Sequence, residues 1–213
     1  MMKTNRRIAE LLLQSKAIIL EPASPFTWAS GWKSPIYCDN RKTLSYPAVR
    51  TSIRDAYVEC IENNFESPEV IAGVATGAIA QGALVAEKMG LPFIYVRSSA
   101  KGHGMQNMVE GHIEPGQRVL VIEDLISTGG SSLKAVQALR SEGCDVTGMV
   151  ATFTYGFEAA AKNFQEQQIA VLTLTDYNTM LDQALESGYI KKEQLPLLQK
   201  WRTDPAGWGV VEG

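Results

Sequence analysis

The chain has 213 residues, 45% hydrophobic and 20% charged, a balance that supplies a sizeable buried core and excludes a disordered or fibrous chain. Twenty Lys and Arg against 23 Asp and Glu leave a net charge of −3, opposite to the basic balance of a protein that coats nucleic acid. No apolar run approaches the roughly 20 residues of a membrane span, and Glu10, Gln14 and Lys16 break the stretch Ile8 to Leu20 where a signal peptide would need its apolar core.

In chain order, a first helix is expected from about Thr4 as cap, with Ile8, Leu11, Leu12, Ser15 and Ile19 on one side. Pro22, Pro25, Gly31 and Pro35 then make Pro22 to Leu44 irregular. A second helix is expected at Ser45-Tyr46-Pro47, with Ser45 capping and Val49, Ile53, Ala56, Tyr57 and Cys60 forming its apolar stripe. From Glu69 the rhythm becomes strand, helix, strand. Strands are expected at Val70 to Val74, Pro92 to Val96, Arg118 to Ile122, Val146 to Thr154 and Ile169 to Leu174. Helices fall at Ile79 to Met89, closed by Gly90, through Leu133, Val136 and Leu139 to Gly143, and at Glu158 to Gln165. Continuous apolar runs such as Val119 to Ile122 suit strands buried on both faces, so the pattern predicts an open, mostly parallel α/β sheet flanked by helices. No linker divides the chain, and length favours one domain, 1–213, with residues 1–45 as an N-terminal helix and a small hood region within it. The three cysteines are far apart, with no CxxC and two histidines, which points away from a disulfide framework or structural zinc and toward a reduced, cytoplasmic setting.

Ligands of such sheets bind outside the carboxyl ends of the strands. At one such end the sequence reads Glu123-Asp124-Leu125-Ile126-Ser127-Thr128-Gly129-Gly130-Ser131. Two carboxylates leave an apolar strand, and a hydroxyl- and glycine-rich turn opens a helix. Backbone N–H groups at a helix N-terminus suit a phosphate, and nearby carboxylates suit sugar hydroxyls or a hydrated metal. A phosphate at one end and a polyol at the other describe a ribose 5-phosphate. A strand end followed by a helix cap would give part of this pattern, but not the acid pair and hydroxyl turn together. GxGxxG after a strand and GxxxxGK[ST] are both missing, which removes dinucleotide and Walker-type readings. A second cationic segment, Arg97 to Gly104 with Lys101 and His103, opens a long stretch with few core-forming residues, as expected of a lid over an anionic substrate. His112 has no comparable context and reads as structural.

The stretch Val119 to Ser132 resembles the phosphoribosyl pyrophosphate signature of the type I phosphoribosyltransferases. Phe26-Thr27-Trp28-Ala29-Ser30-Gly31-Trp32-Lys33-Ser34-Pro35-Ile36-Tyr37-Cys38-Asp39-Asn40-Arg41 resembles the N-terminal segment of the orotate branch, and Tyr95 to Gly104 resembles its catalytic loop. Gly73-Val74-Ala75-Thr76-Gly77 stands in place of the pyrophosphate loop, so the resemblance spans about residues 20 to 175. It implies a type I fold and transfer of ribose 5-phosphate from phosphoribosyl pyrophosphate to orotate. It implies Mg²⁺ reaching the protein through substrate and water, with no direct metal ligand, and a homodimer whose loop serves the neighbour's site. Neither nucleic acid nor membrane is implied as a partner. Ser127 to Ser131 would hold the 5-phosphate, with Leu125 and Ile126 in the same binding run. Glu123 and Asp124 would hold the ribose hydroxyls; Arg97, Lys101 and His103 would neutralise pyrophosphate, with Lys101 catalytic beside the acid pair. Ser127 would contact orotate, and Tyr37, with Trp28 and Trp32, would stack on it. The chain departs from some members at Ala29, Gly77 and Ser98, where they carry lysines, and at Tyr155, where they carry an arginine for orotate's carboxylate. A purine-type transferase with the same donor site, and a non-enzymatic sensor of phosphoribosyl pyrophosphate, are the alternative readings.

Overall fold

The computed structural model describes residues 2–28, 31–99 and 108–208. A first helix, α1 (Met2–Gln14), precedes four short strands, β1 (Ile18–Leu20), β2 (Phe26–Thr27), β3 (Lys33–Ser34) and β4 (Ile36–Cys38), and a 3₁₀ segment, Asn40–Ser45. Then follow α2 (Pro47–Asn64), β5 (Val70–Val74), α3 (Ile79–Met89), β6 (Phe93–Val96), β7 (Val109–Glu110) and β8 (Arg118–Ile126). The chain continues through α4 (Gly130–Ser141), β9 (Asp145–Thr154), α5 (Glu158–Glu166), β10 (Val171–Asp176), α6 (Tyr177–Glu186) and α7 (Leu195–Thr203).

Six strands form the main sheet in the order β10-β9-β8-β5-β6-β7, all parallel except β7, which runs antiparallel to β6. This is the open, mostly parallel sheet expected from the apolar runs. Side chains alternate across it because a strand has period two. Leu120 and Ile122 face a core shared with α1, α2, α3, α6 and α7, while Val119 and Val121 face α4 and α5. With both faces covered, the centre of β8 has to be apolar throughout, and Val119 to Ile122 are all fully buried.

Several expectations need correction. The first helix begins at Met2, with Thr4 inside it, and ends at Gln14. The Ser15 hydroxyl donates to the Leu11 carbonyl at 2.7 Å and Lys16 turns left-handed at φ 54°, so Ile19 leaves the helix and pairs with Tyr37 in a strand. Ser45 does not cap α2; Tyr46 occupies that position without a side-chain bond, and Pro47 supplies the helical φ. The stretch Pro22 to Leu44 holds two small antiparallel pairs, β1–β4 and β2–β3, too short for a periodic signal. The last strand runs Val171–Asp176, two residues later than expected.

The C-terminal α7, which no motif singled out, buries Trp201 completely. Its ring meets Trp28, Tyr155, Phe157 and Tyr177 with centroids 5.5–5.7 Å away, and its Nε1–H donates to the Lys33 carbonyl at 3.2 Å. One side chain thus ties the end of the chain to the β2–β3 hairpin and the end of β9. No helix among the described residues is long and apolar enough to cross a membrane.

Trp201→Ala should destabilise the fold by about 3–5 kcal/mol, the usual cost of emptying a large aromatic site. Urea denaturation measures it, and a loss below about 1 kcal/mol would show that α7 is not part of the cooperative core.

Candidate active site

The site is built where β8 outruns its neighbour. β5 accompanies β8 from Val119 to Ile122, and beyond that only β9 continues alongside, as far as Ile126 opposite Thr154. Glu123 and Asp124 therefore lie inside the strand and do not follow it, a correction to the expected boundary at Ile122. Two buried side chains take the carbonyls of this overhang. Tyr57 Oη–H donates to the Glu123 carbonyl at 2.6 Å, with Thr152 Oγ1 also 2.6 Å away, and Asn40 Nδ2–H donates to the Asp124 carbonyl at 2.6 Å. Buried backbone oxygens need such partners.

The two carboxylates differ. Glu123 is 3% exposed, and its oxygens accept from the Ser132 hydroxyl at 2.8 Å and the Asp124 N–H at 3.0 Å. It braces the start of α4. Burial, with the Asp124 charge next to it, pushes the Glu123 carboxyl well above the ordinary carboxylate range. Asp124 is half-buried and also raised, chiefly by burial. Gly77 lies directly against its carboxylate, so a Cβ at position 77 would overlap the acid.

After Ile126 the chain turns through Ser127 and Thr128 to Gly129 at φ 81°, and α4 begins without a side-chain cap. Gly129 is required twice over, by its left-handed backbone and by the Phe164 ring, 2.9 Å from where a Cβ would stand. Asn163 Nδ2–H holds the Thr128 carbonyl at 3.0 Å. Thr128, Gly130 and Ser131 are exposed, so the first N–H groups of a twelve-residue helix open toward solvent, an arrangement suited to an anion. Of the binding run, Leu125 and Ser127 line a cleft, whereas the Ile126 side chain is 2% exposed in the core and offers only its backbone.

Thr27, Trp28, Tyr37, Cys38 and Tyr155 complete that cleft beside Leu125 and Ser127. Tyr37 is 37% exposed and packs on Phe26 at 5.6 Å, with the Lys42 ammonium 5.7 Å from its ring centroid. Trp28 is held by its Nε1–H to the Ile36 carbonyl at 3.2 Å and by Tyr155 at 5.2 Å; Trp32 packs behind it at 6.4 Å. Tyr155 is 2% exposed among Phe153, Phe157, Tyr177 and Trp201, and burial pushes its hydroxyl well above the ordinary phenol range.

Arg97 follows β6 directly, and its guanidinium donates to Glu110 Oε1 at 3.2 Å across the β6–β7 hairpin. Lys101 and His103, with Ala29, lie outside the described residues. Asn40, in the segment that resembles the orotate branch, Tyr57, on the apolar stripe of α2, and Trp201 had no role assigned from sequence; burial and hydrogen bonding reveal it. Among the described residues no group of three or more His, Cys, Asp or Glu is placed to hold a metal.

A phosphoribosyl transferase domain model matches residues 42–174. Over 97% of its length the chain is 59% identical to an orotate phosphoribosyltransferase of Phocaeicola vulgatus, of which the match covers 98%. An orotate phosphoribosyltransferase structure from Aeropyrum pernix, 28% identical, aligns with a TM-score of 0.75 over 86% of this chain and 99% of that one. A Leishmania donovani UMP synthase, 27% identical, aligns at 0.78 over 93% of this chain and 42% of that one. The chain belongs to the phosphoribosyltransferase family, and within it to the orotate phosphoribosyltransferases.

Because Glu123 binds its proton more tightly folded than unfolded, the folded state holds more protons above the ordinary carboxylate range, and stability must fall as pH rises through that window. Glu123→Gln removes this term. Its stability relative to wild type should improve steadily as pH is raised from about 4 toward neutrality, followed by denaturant titration at each pH. Parallel curves would show that Glu123 is not held protonated by the fold.

Proposed function

We propose that this chain transfers ribose 5-phosphate from phosphoribosyl pyrophosphate to orotate, giving orotidine 5′-monophosphate and pyrophosphate in pyrimidine synthesis. The observation that carries the assignment of residues is the adjacency of Asp124, the open turn Ser127 to Ser131 and the aromatic cleft beside Ser127.

The C1–oxygen bond to pyrophosphate breaks and a bond from orotate N1 to C1 forms, through a transition state with positive charge on the sugar. The chain's work is positioning and electrostatics. The Ser127 to Ser131 turn anchors the phosphate with backbone N–H groups and hydroxyls. Asp124 accepts from the ribose hydroxyls and lies near the developing charge; Glu123 acts behind it by holding Ser132. Tyr37 and Trp28 flank the base and Ser127 hydrogen-bonds it. Residues 1–45 supply the hood over the base within a single domain, 1–213. Arg97 takes part in neutralising pyrophosphate by exchanging Glu110 for the substrate. The family resemblance assigns Lys101 and His103 to the same leaving group.

The half-buried Asp124 carboxylate, an oxygen donor at the open end of β8, fits Mg²⁺, which it would hold through water beside the substrate's own oxygens. Bound there, Mg²⁺ would supply charge neutralisation for the pyrophosphate. The unpaired state of Cys38, Cys60 and Cys144 supports a cytoplasmic setting. A homodimer sharing its active sites completes the reading.

Loss of orotate absorbance on incubation with phosphoribosyl pyrophosphate and Mg²⁺ tests the reaction; purine conversion in its place would overturn it. Asp124→Asn keeps the shape and removes a charged acceptor, so kcat/KM for phosphoribosyl pyrophosphate should fall by the equivalent of about 1.5–3 kcal/mol. An unchanged value would remove Asp124 from the sugar site.

For the shared site, Lys101→Ala and Asp124→Asn serve as two inactive parents. In an equal, fully re-assorted mixture half the dimers are mixed, and each has one site with both residues intact. Activity should recover to about a quarter of wild type. No recovery, with subunit exchange verified by mass spectrometry, would place Lys101 over its own subunit's site.

A further inference from the structure

The hood and the sugar carboxylate are joined by one buried side chain. Asn40 is 5% exposed and lies in the 3₁₀ segment immediately after β4, two residues beyond Cys38 of the cleft wall. Three hydrogen bonds fasten it. Its Nδ2–H donates to the Asp124 carbonyl at 2.6 Å, its Oδ1 accepts from the Cys38 thiol at 3.5 Å, and its own carbonyl accepts from the Thr43 hydroxyl at 2.6 Å. The orientation of the amide follows from chemistry, since a carbonyl only accepts and must face the NH₂ end.

The position matters because β5 no longer accompanies β8 at Asp124, so β9 alone flanks that residue in the sheet. Tyr57 fixes the preceding carbonyl from α2, and Asn40 fixes the carbonyl of Asp124 itself. We infer that Asn40 is a positioning residue for the donor substrate: its amide N–H sets the backbone of Asp124, and so the direction in which that carboxylate meets the ribose. The inference rests on the reaction proposed above. It predicts that the donor side of the kinetics depends on a side chain that belongs to the acceptor side of the fold.

The test compares two changes of opposite kind. Asn40→Asp keeps the volume but sets an oxygen against the Asp124 carbonyl, while Asn40→Ala removes volume and leaves room for water. If hydrogen-bond donation matters, Asn40→Asp should lower kcat/KM for phosphoribosyl pyrophosphate by on the order of tenfold to a hundredfold, at least as much as Asn40→Ala. KM for orotate at saturating donor should change less than twofold. Asn63→Asp is the control, since Asn63 makes the same kind of bond, to the Glu59 carbonyl, on the exposed face of α2. It should leave both constants unchanged.

Thermal melts establish that each variant is folded at the assay temperature. If Asn40→Asp does not fold, Asn40→Ala decides through the same split between donor and acceptor constants. A folded Asn40→Asp with wild-type donor kinetics, or equal losses for donor and acceptor, would overturn the inference while leaving the reaction standing. Absence of orotate turnover by the wild-type protein would overturn both.

Discussion

Everything at the site follows from a mismatch in length between neighbouring strands. β8 continues to Ile126 while β5 stops alongside Ile122, so the last residues of the central strand have a ladder on one side and open space on the other. Open space at the carboxyl edge of a parallel sheet is where a ligand fits, but it also strips backbone carbonyls of partners. Side chains from sequence-distant elements, Tyr57 from α2 and Asn40 from the hood, donate to the Glu123 and Asp124 carbonyls there. The segment that binds is thereby as well fastened as the core strand it extends.

The same geometry divides the labour of the acid pair. Successive residues on a strand start out toward opposite faces, and the two adjacent carboxylates meet different partners. Glu123 turns inward to Ser132 and ties β8 to α4; Asp124 turns outward beside Gly77. Burying Glu123 costs electrostatic energy, visible in its raised proton affinity, and gains a fixed spacing between the carboxylate and the helix N-terminus behind the phosphate turn. A rigid spacing of this kind suits a reaction in which the protein positions and neutralises without forming a covalent bond to substrate.

Aromatic packing does for the base side what hydrogen bonding does for the sugar side. Tyr155 and Trp201 form the centre of a cluster that supports Trp28 from below, and the Trp201 indole also holds the β3 backbone. A two-residue hairpin such as β2–β3 has little stability of its own. Its place over the sheet is set by the C-terminal helix, more than a hundred residues away in sequence.

The sequence by itself determined the sheet and the location of the donor site. Val119 to Ile122, four consecutive apolar and mostly β-branched residues in a strand–helix alternation, suit a strand between two layers, and the hydroxyl-glycine turn after an acid pair carries its chemistry in residue type and spacing. It could not tell Glu123 from Asp124, since their roles depend on which face of β8 each one occupies and on where β5 ends. Nor could it find Asn40, Tyr57 or Trp201. The local pattern around one asparagine, one helical tyrosine and one C-terminal tryptophan says nothing of their partners, and their importance arises only when folding brings them to a carbonyl or a ring far away in the chain. Local propensity and periodicity report short-range physics, which is enough for strands and turns; the fastening of a site is long-range, and only the tertiary structure decides it.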